Sequence, residues 1–61
     1  MNAQLDFDVK RAAALAKAEE SYNSAAEIYS DLFQTSAIDF PEYMRRHNKN
    51  CYAYHEARAA A

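Results

Sequence analysis

The sequence of 61 residues contains no glycine, one proline and one cysteine. A lone cysteine cannot form an internal disulfide, it excludes a zinc site built from several cysteines, and it fits a reducing compartment. No apolar run approaches the length of a membrane-spanning helix, and the N-terminal residues lack the basic and apolar regions of a secretory signal peptide. A cytoplasmic protein without membrane contacts is therefore expected.

Signals for β-strands are also missing, because the chain has no alternating Val/Ile/Thr segment and no Asn-Gly or Asp-Gly turn. Many alanines and the lack of a helix breaker before Pro41 predict a long helix over residues 6–34 and a shorter one over residues 41–57. The predicted fold is an all-α helical hairpin that forms one small domain over residues 1–61. A dimer of such hairpins would give a four-helix arrangement.

The connection between the two predicted helices contains residues suited to helix ends. Ser36 and Asp39 have side chains that can accept hydrogen bonds from unpaired backbone N–H groups. Pro41 suits a first helical turn, and it is expected to keep Phe40 out of helical geometry.

The first predicted helix carries a packing pattern and also a competing start signal. Alternating spacings of three and four residues, typical of a coiled-coil seam, relate Leu15, Ala18, Tyr22, Ala25, Tyr29 and Leu32. Ser24 and Glu27 have the spacing of a capping box, and residues 21–24 are weak helix formers, so a break there would give a three-helix bundle. The seam keeps its phase through this stretch, which favours one continuous helix.

The apolar content is too small for a self-sufficient core, since much of it is alanine. Burying a large apolar side chain contributes about 1.5–3 kcal/mol, whereas ordering the backbone costs about 1–2 kcal/mol per residue. At 1.5 Å per residue the shorter helix would cover roughly residues 19–36 of the longer one. Leu5, Phe7 and Val9 would then stay uncovered, and a second copy or another protein is expected to cover them.

The stretch from residue 43 to residue 58 is rich in basic and aromatic residues. Its predicted outer face carries Arg45, Arg46, Asn48, Lys49 and Tyr52, types that contact phosphates and base edges. A nucleic-acid-binding regulator that uses residues 45–52 is therefore an alternative function. Glu42 has helical spacing to both arginines and the preceding helix is acidic, which favours a protein surface instead.

His47, Cys51 and His55 recur every four residues in the same stretch. The two histidines would lie about 12 Å apart along the helix axis, too far to share one metal ion. Cys51 beside a histidine could form a nucleophilic pair, but a hairpin without glycine offers no loop for a catalytic pocket. No catalytic, cofactor-binding or metal-binding residue is expected, and packing is the expected role of all three.

Five tyrosines in 61 residues are a composition that protein interfaces favour. The sequence therefore predicts a small non-enzymatic protein-binding module, an adaptor or inhibitor of a larger protein, possessing no cofactor. The expected partner-binding residues are Leu5, Phe7, Val9, Arg45, Lys49 and Tyr52. Small proteins without glycine or motifs are often encoded by phages or mobile elements, and such an origin is a hypothesis for this chain.

Overall fold

Residues 3–61 are described by a computed structural model, and this part of the chain forms a hairpin of two packed α-helices. Helix α1 spans Ala3–Gln34 and helix α2 spans Phe40–Ala60. The all-α helical hairpin predicted from the sequence is confirmed. Both helices extend slightly beyond the predicted boundaries, α1 at its start and α2 at both ends.

Helix α1 ends in a Schellman motif, in which the residue after the helix adopts left-handed backbone geometry. Ser36 has a φ of 64°. The Ser36 N–H donates to the carbonyl of Phe33 at 3.1 Å, and the Ala37 N–H donates to that of Leu32 at 2.9 Å. Ser36 thus ends the helix through its backbone, at a position where glycine is usual, rather than through its side chain as the sequence suggested.

Helix α2 begins with the side-chain cap that the sequence predicts at Asp39. The Asp39 backbone is extended, and its Oδ1 accepts a hydrogen bond from the Glu42 N–H at 3.0 Å. The expectation that Pro41 keeps Phe40 outside the helix is wrong, because the cap lies one residue earlier. Asp39 instead takes the extended geometry, and its carbonyl accepts the Tyr43 N–H at 2.9 Å.

The predicted seam forms the contact between the helices. Among residues 4–61 only Ala18 is buried, at 9% exposure, and the other five seam residues are partly buried. Helix α1 is continuous through residues 21–24, so the three-helix alternative is wrong. In this weak stretch the Asn50 side chain donates to the Tyr22 carbonyl at 3.1 Å, so α2 supports the helix where its own propensity is low.

The described helices form a single flat layer. The Cα positions extend over 54 × 16 × 7 Å, with a radius of gyration of 15.4 Å. A globular domain of this length has a radius of gyration of about 10 Å. Domains normally bury their apolar surfaces between two layers of secondary structure. This hairpin forms only one layer, so both of its broad faces are open.

Helix α2 reaches further along α1 than the sequence predicts. Its alanine-rich end stays helical to Ala60, and Arg11 Nη1 donates to the Ala61 carbonyl at 3.4 Å. The expected limit of cover near residue 19 is therefore wrong, because alanine is the strongest helix former and α2 continues to Ala60. Over the described residues, neither helix is both long and apolar enough to cross a membrane.

Candidate functional site

A groove lies between the helices at their open end, opposite the connection. It has a volume of about 380 Å³, and most of its lining consists of small side chains, namely Ala14, Ala18, Ala53, Ala57, Ala60 and Ala61. Tyr22 and Tyr54 lie toward the middle of the hairpin. Alanines let the helices approach while leaving space that a larger side chain can fill. We refer to this feature as the alanine groove.

Basic residues also line the alanine groove. Lys17 lines it directly, and Lys10 and Arg11 line its continuation of about 270 Å³ beside Phe7. Within the described part of the chain, no acidic side chain lines either portion. The groove therefore presents a largely apolar lining and positive charge to whatever occupies it.

A polar and aromatic cluster occupies the middle of the helix contact. The rings of Tyr22 and Tyr54 lie 5.0 Å apart, and Arg58 lies over the Tyr54 ring at 5.6 Å. The Tyr22 hydroxyl lies 3.9 Å from Cys51 Sγ, which in turn lies 3.6 Å from His47 Nε2. The hydrogen bond with Cys51 raises the pKa of Tyr22 above its ordinary value of 10.0. This chain of contacts joins α1 to α2, as the packing interpretation of His47 and Cys51 expects.

His55 lies at the border of that cluster, where it contacts the Tyr54 ring at a centroid distance of 5.9 Å but neither Cys51 nor His47 in the contacts described above. Over the residues that the structure describes, no three His, Cys, Asp or Glu side chains are placed to hold a metal ion together. His47 and Cys51 thus form a pair, and the third member that a metal centre would need is not beside them.

The end of the hairpin near the connection is packed by aromatic rings. Phe33 stacks on Tyr43 at 5.0 Å and contacts Phe40 at 6.0 Å, and Tyr43 stacks on His47 at 6.0 Å. Phe40 nevertheless remains 58% exposed because it is the first residue of α2 and has neighbours on one side only.

Glu42 binds both of the arginines that the sequence placed within its reach. Its Oε1 lies 2.6 Å from Arg45 Nη2 and 2.8 Å from Arg46 Nε. These hydrogen bonds lower the pKa of Glu42 from 4.5 to about 2, and they raise the pKa of Arg45. Both guanidinium groups are therefore paired with the Glu42 carboxylate. The nucleic-acid alternative needs unpaired positive charge on this same surface.

The predicted partner-binding residues fall into two separate groups. Exposure is 58% for Leu5, 56% for Phe7 and 61% for Val9 at the open end, and 72% for Tyr52 on the outer side of α2. Arg45 and Lys49 are also exposed on that outer side. Cys51, the residue before Tyr52, contacts Tyr22 on α1, so Tyr52 lies at about the level of Tyr22. Tyr22 follows Val9 by 13 residues, which at 1.5 Å per residue separates Tyr52 from Val9 by about 20 Å along the hairpin. The structure does not bring the two groups together, and their role in binding stays a prediction.

Sequence reasoning missed a second stripe on α1, which flanks the alanine groove. Alternating spacings of four and three residues relate Lys10, Ala14, Lys17, Ser21, Ser24, Ile28 and Asp31. All seven are exposed, and the first four line the groove or its continuation. The regular spacing of these residues could have identified the stripe in the sequence. A search for apolar periodicity does not find it, because Ile28 is the only large apolar side chain among the seven. We refer to these residues as the groove stripe.

Comparisons of the chain with protein-family models, with curated proteins and with solved structures find no match.

Proposed function

We infer that this chain is a small non-enzymatic protein-binding module, an adaptor or inhibitor that acts on a larger protein through its helix surfaces. The observation that carries this inference is the surface left open by the hairpin. Its accessible area is 4903 Å². A folded monomer of this mass exposes about 4,000 Å², so about 900 Å² is in excess. One partner in a standard protein interface buries about 800 Å².

The exposed large side chains indicate where a target would bind. Tyr52 and Val9 are the two most exposed large hydrophobic side chains of the described structure, at 72% and 61%. A tyrosine presents a large contact area with few rotors and a polar tip, and it is enriched among the residues that dominate binding energy. We assign target binding to Leu5, Phe7 and Val9 at the open end and to Arg45, Lys49 and Tyr52 on the outer side of α2.

The contacts of Glu42 favour a protein target over nucleic acid. Phosphate binding draws its affinity from unpaired lysine and arginine side chains. Arg45 and Arg46 both donate to Glu42, which leaves Lys49 as the basic residue without an ion pair between residues 45 and 52 of the described structure. The formal net charge of the chain is −2, which also opposes association with a polyanion.

The surroundings of Cys51 support a packing role rather than catalysis. A nucleophile needs donors that stabilise a developing negative charge and a site that excludes water. Cys51 lies on the helix contact with its sulfur directed at Tyr22 and His47. The backbone N–H groups around it belong to α2 and are used by the helix itself. The free thiol is compatible with a reducing compartment, and the proposal places the module in the cytoplasm.

Affinity capture with matched variants tests the proposal. Immobilised chain should retain one protein from a lysate of the source cells at about 0.15 M salt, where exposed charge interactions are largely screened. Val9→Lys or Tyr52→Ala should lower the retained amount at least about tenfold, which corresponds to about 1.4 kcal/mol. Glu56→Gln, an exposed change on the same helix as Tyr52, serves as the control and should capture normally.

Two results would contradict the proposed protein-binding function. Binding to unrelated DNA that falls steeply with salt and disappears in the Arg45→Ala, Lys49→Ala double variant would replace this proposal with the nucleic-acid alternative. Equal capture by all variants would show that the assigned residues do not bind the target.

A further inference from the structure

The groove stripe and the alanine groove together have the features of a self-complementary interface. An interface with two-fold symmetry uses the same patch on both subunits, so each feature of the patch must find its complement within that patch. We propose that a second copy of this chain docks on the groove stripe with its α1 antiparallel to the first, and with Ser21 on the two-fold axis. This proposal rests on the binding function inferred above and names one of its partners.

The spacing of the stripe determines which residues would meet. In an antiparallel pair of helices, residues at equal distances on either side of the axis face each other. With the axis at Ser21, Ala14 of one copy faces Ile28 of the other, since each lies seven residues from Ser21. Lys10 and Asp31 lie eleven and ten residues from Ser21, so their side chains come close to each other without lying directly opposite.

Shape supports this pairing at the Ala14–Ile28 layer. Ile28 is 56% exposed in the single hairpin, although it is the one large apolar residue of the stripe. Ala14 lines the alanine groove, which offers about 380 Å³ of space. Placing a large side chain opposite a small one fills such space at normal packing density. Two-fold symmetry makes this contact twice in each dimer.

Charge supports the same register. Lys10 and Asp31 are exposed, and within residues 3–61 neither takes part in an ion pair. The stripe is basic in its first half and acidic at its end, so antiparallel docking brings opposite charges together at both ends. Parallel docking would instead place each lysine of the stripe against its own copy, which electrostatics disfavours.

The open area is large enough for a second copy. The accessible area of 4903 Å² exceeds that of a folded monomer of this mass by about 900 Å², close to one subunit's share of a standard interface. Stacking two flat hairpins through this face forms a two-layer, four-helix arrangement. It gives the described helices the second layer that they lack.

The mass in solution and a pair of matched variants test the proposal. Sedimentation of the full chain between about 1 and 100 μM should give twice the 6.9 kDa mass of one chain. Ile28→Lys should weaken the dimer about 100-fold, because two apolar contacts are lost per dimer. Asn23→Lys is the control, since Asn23 is exposed and lies on the opposite flank of α1, outside the groove stripe, and it should remain dimeric.

Two results would overturn the proposal. One is a wild-type chain that is monomeric at 100 μM, which would leave the groove to a helix of a different protein. The other is an equal effect of Ile28→Lys and Asn23→Lys. Target capture by the wild-type chain is measured separately, so the binding function can fail without the dimer, and the dimer without the binding function.

A charge reversal tests the register. Lys10→Asp and Asp31→Lys should each weaken the dimer about tenfold, because each places like charges together twice per dimer. The double variant restores opposite charges and should recover most of the loss. A double variant as weak as the singles would refute the antiparallel register.

A disulfide gives a measurement that does not depend on the stability of a weakened variant. In a Cys51→Ser background, Ser21→Cys should form a covalent dimer on oxidation, because residues on the axis approach within the 4.4–6.8 Å between Cα atoms that a disulfide spans. Asn23→Cys in the same background lies on the opposite flank of α1 and is the control. Equal cross-linking at both positions would contradict an axis at Ser21.

Discussion

Ser36 adopts a left-handed backbone conformation in a chain that has no glycine, and substituting it tests how much this conformation costs. Its φ of 64° costs a residue with a Cβ atom about 1–2 kcal/mol. Ser36→Gly removes that cost but adds about 0.5–1 kcal/mol of conformational entropy to the unfolded chain. The net gain in the free energy of unfolding should be about 0.5–1 kcal/mol. For a domain of this size the melting temperature would rise by about 2–8 °C.

The assay is thermal unfolding followed by circular dichroism at one fixed protein concentration, since self-association would make the midpoint depend on concentration. Ser36→Ala is the matched control, because it removes the hydroxyl but keeps the Cβ atom, and it should show no gain. A Ser36→Gly chain no more stable than Ser36→Ala would refute the assignment of strain to this position and place the cost elsewhere in the connection.

Three further predictions concern the other contacts. The pKa of Glu42 falls from 4.5 to about 2 on folding, so its contribution to stability is complete above about pH 4.5 and is lost as the pH falls through about 2. Glu42→Gln should therefore be less stable than wild type at pH 7 and equal to it near pH 2 in thermal unfolding; an equal deficit at both values would contradict this. Tyr22→Phe keeps the ring against Tyr54 and should cost less than about 1 kcal/mol, whereas Tyr22→Ala should cost about 2–3 kcal/mol in urea unfolding. Similar costs would mean that the hydroxyl contact, rather than the ring, stabilises the hairpin. Cys51 should react with iodoacetamide at least about tenfold more slowly in the native chain than in urea, because it is partly buried on the helix contact; rapid alkylation near pH 6 would instead indicate an activated thiol.

The helices and their contact were predictable because each has a local cause. Alanine content and the lack of breakers determine where helix can form, and Asp39 marks the start of α2 through a side-chain bond that depends on its close neighbours. The seam from Leu15 to Leu32 was visible because its large members are apolar or aromatic and recur with the helical period.

The remaining features depend on tertiary geometry. The left-handed backbone of Ser36 is imposed by the need to turn the chain within residues 35–39, and serine gives no local signal for it. The alanine groove exists because α2 stays helical to Ala60 and lies at a particular rotation against α1. The groove stripe was overlooked because lysine, serine and aspartate dominate it, and such residues normally indicate a solvated face.

The shortness of the connection also shapes how the hairpin would assemble and open. Contacts between Phe33 and Phe40 close a small loop, whereas the bond between Arg11 and Ala61 spans 50 positions. The entropic cost of closing a loop grows with the separation of the residues joined. Contacts between α1 and α2 would therefore form first near the connection and then progressively toward the open end, and the helices would separate in the reverse order. Hydrogen exchange should therefore be fastest around Arg11 and Ala60. A molecule held in the alanine groove would clamp the end of the hairpin that separates first.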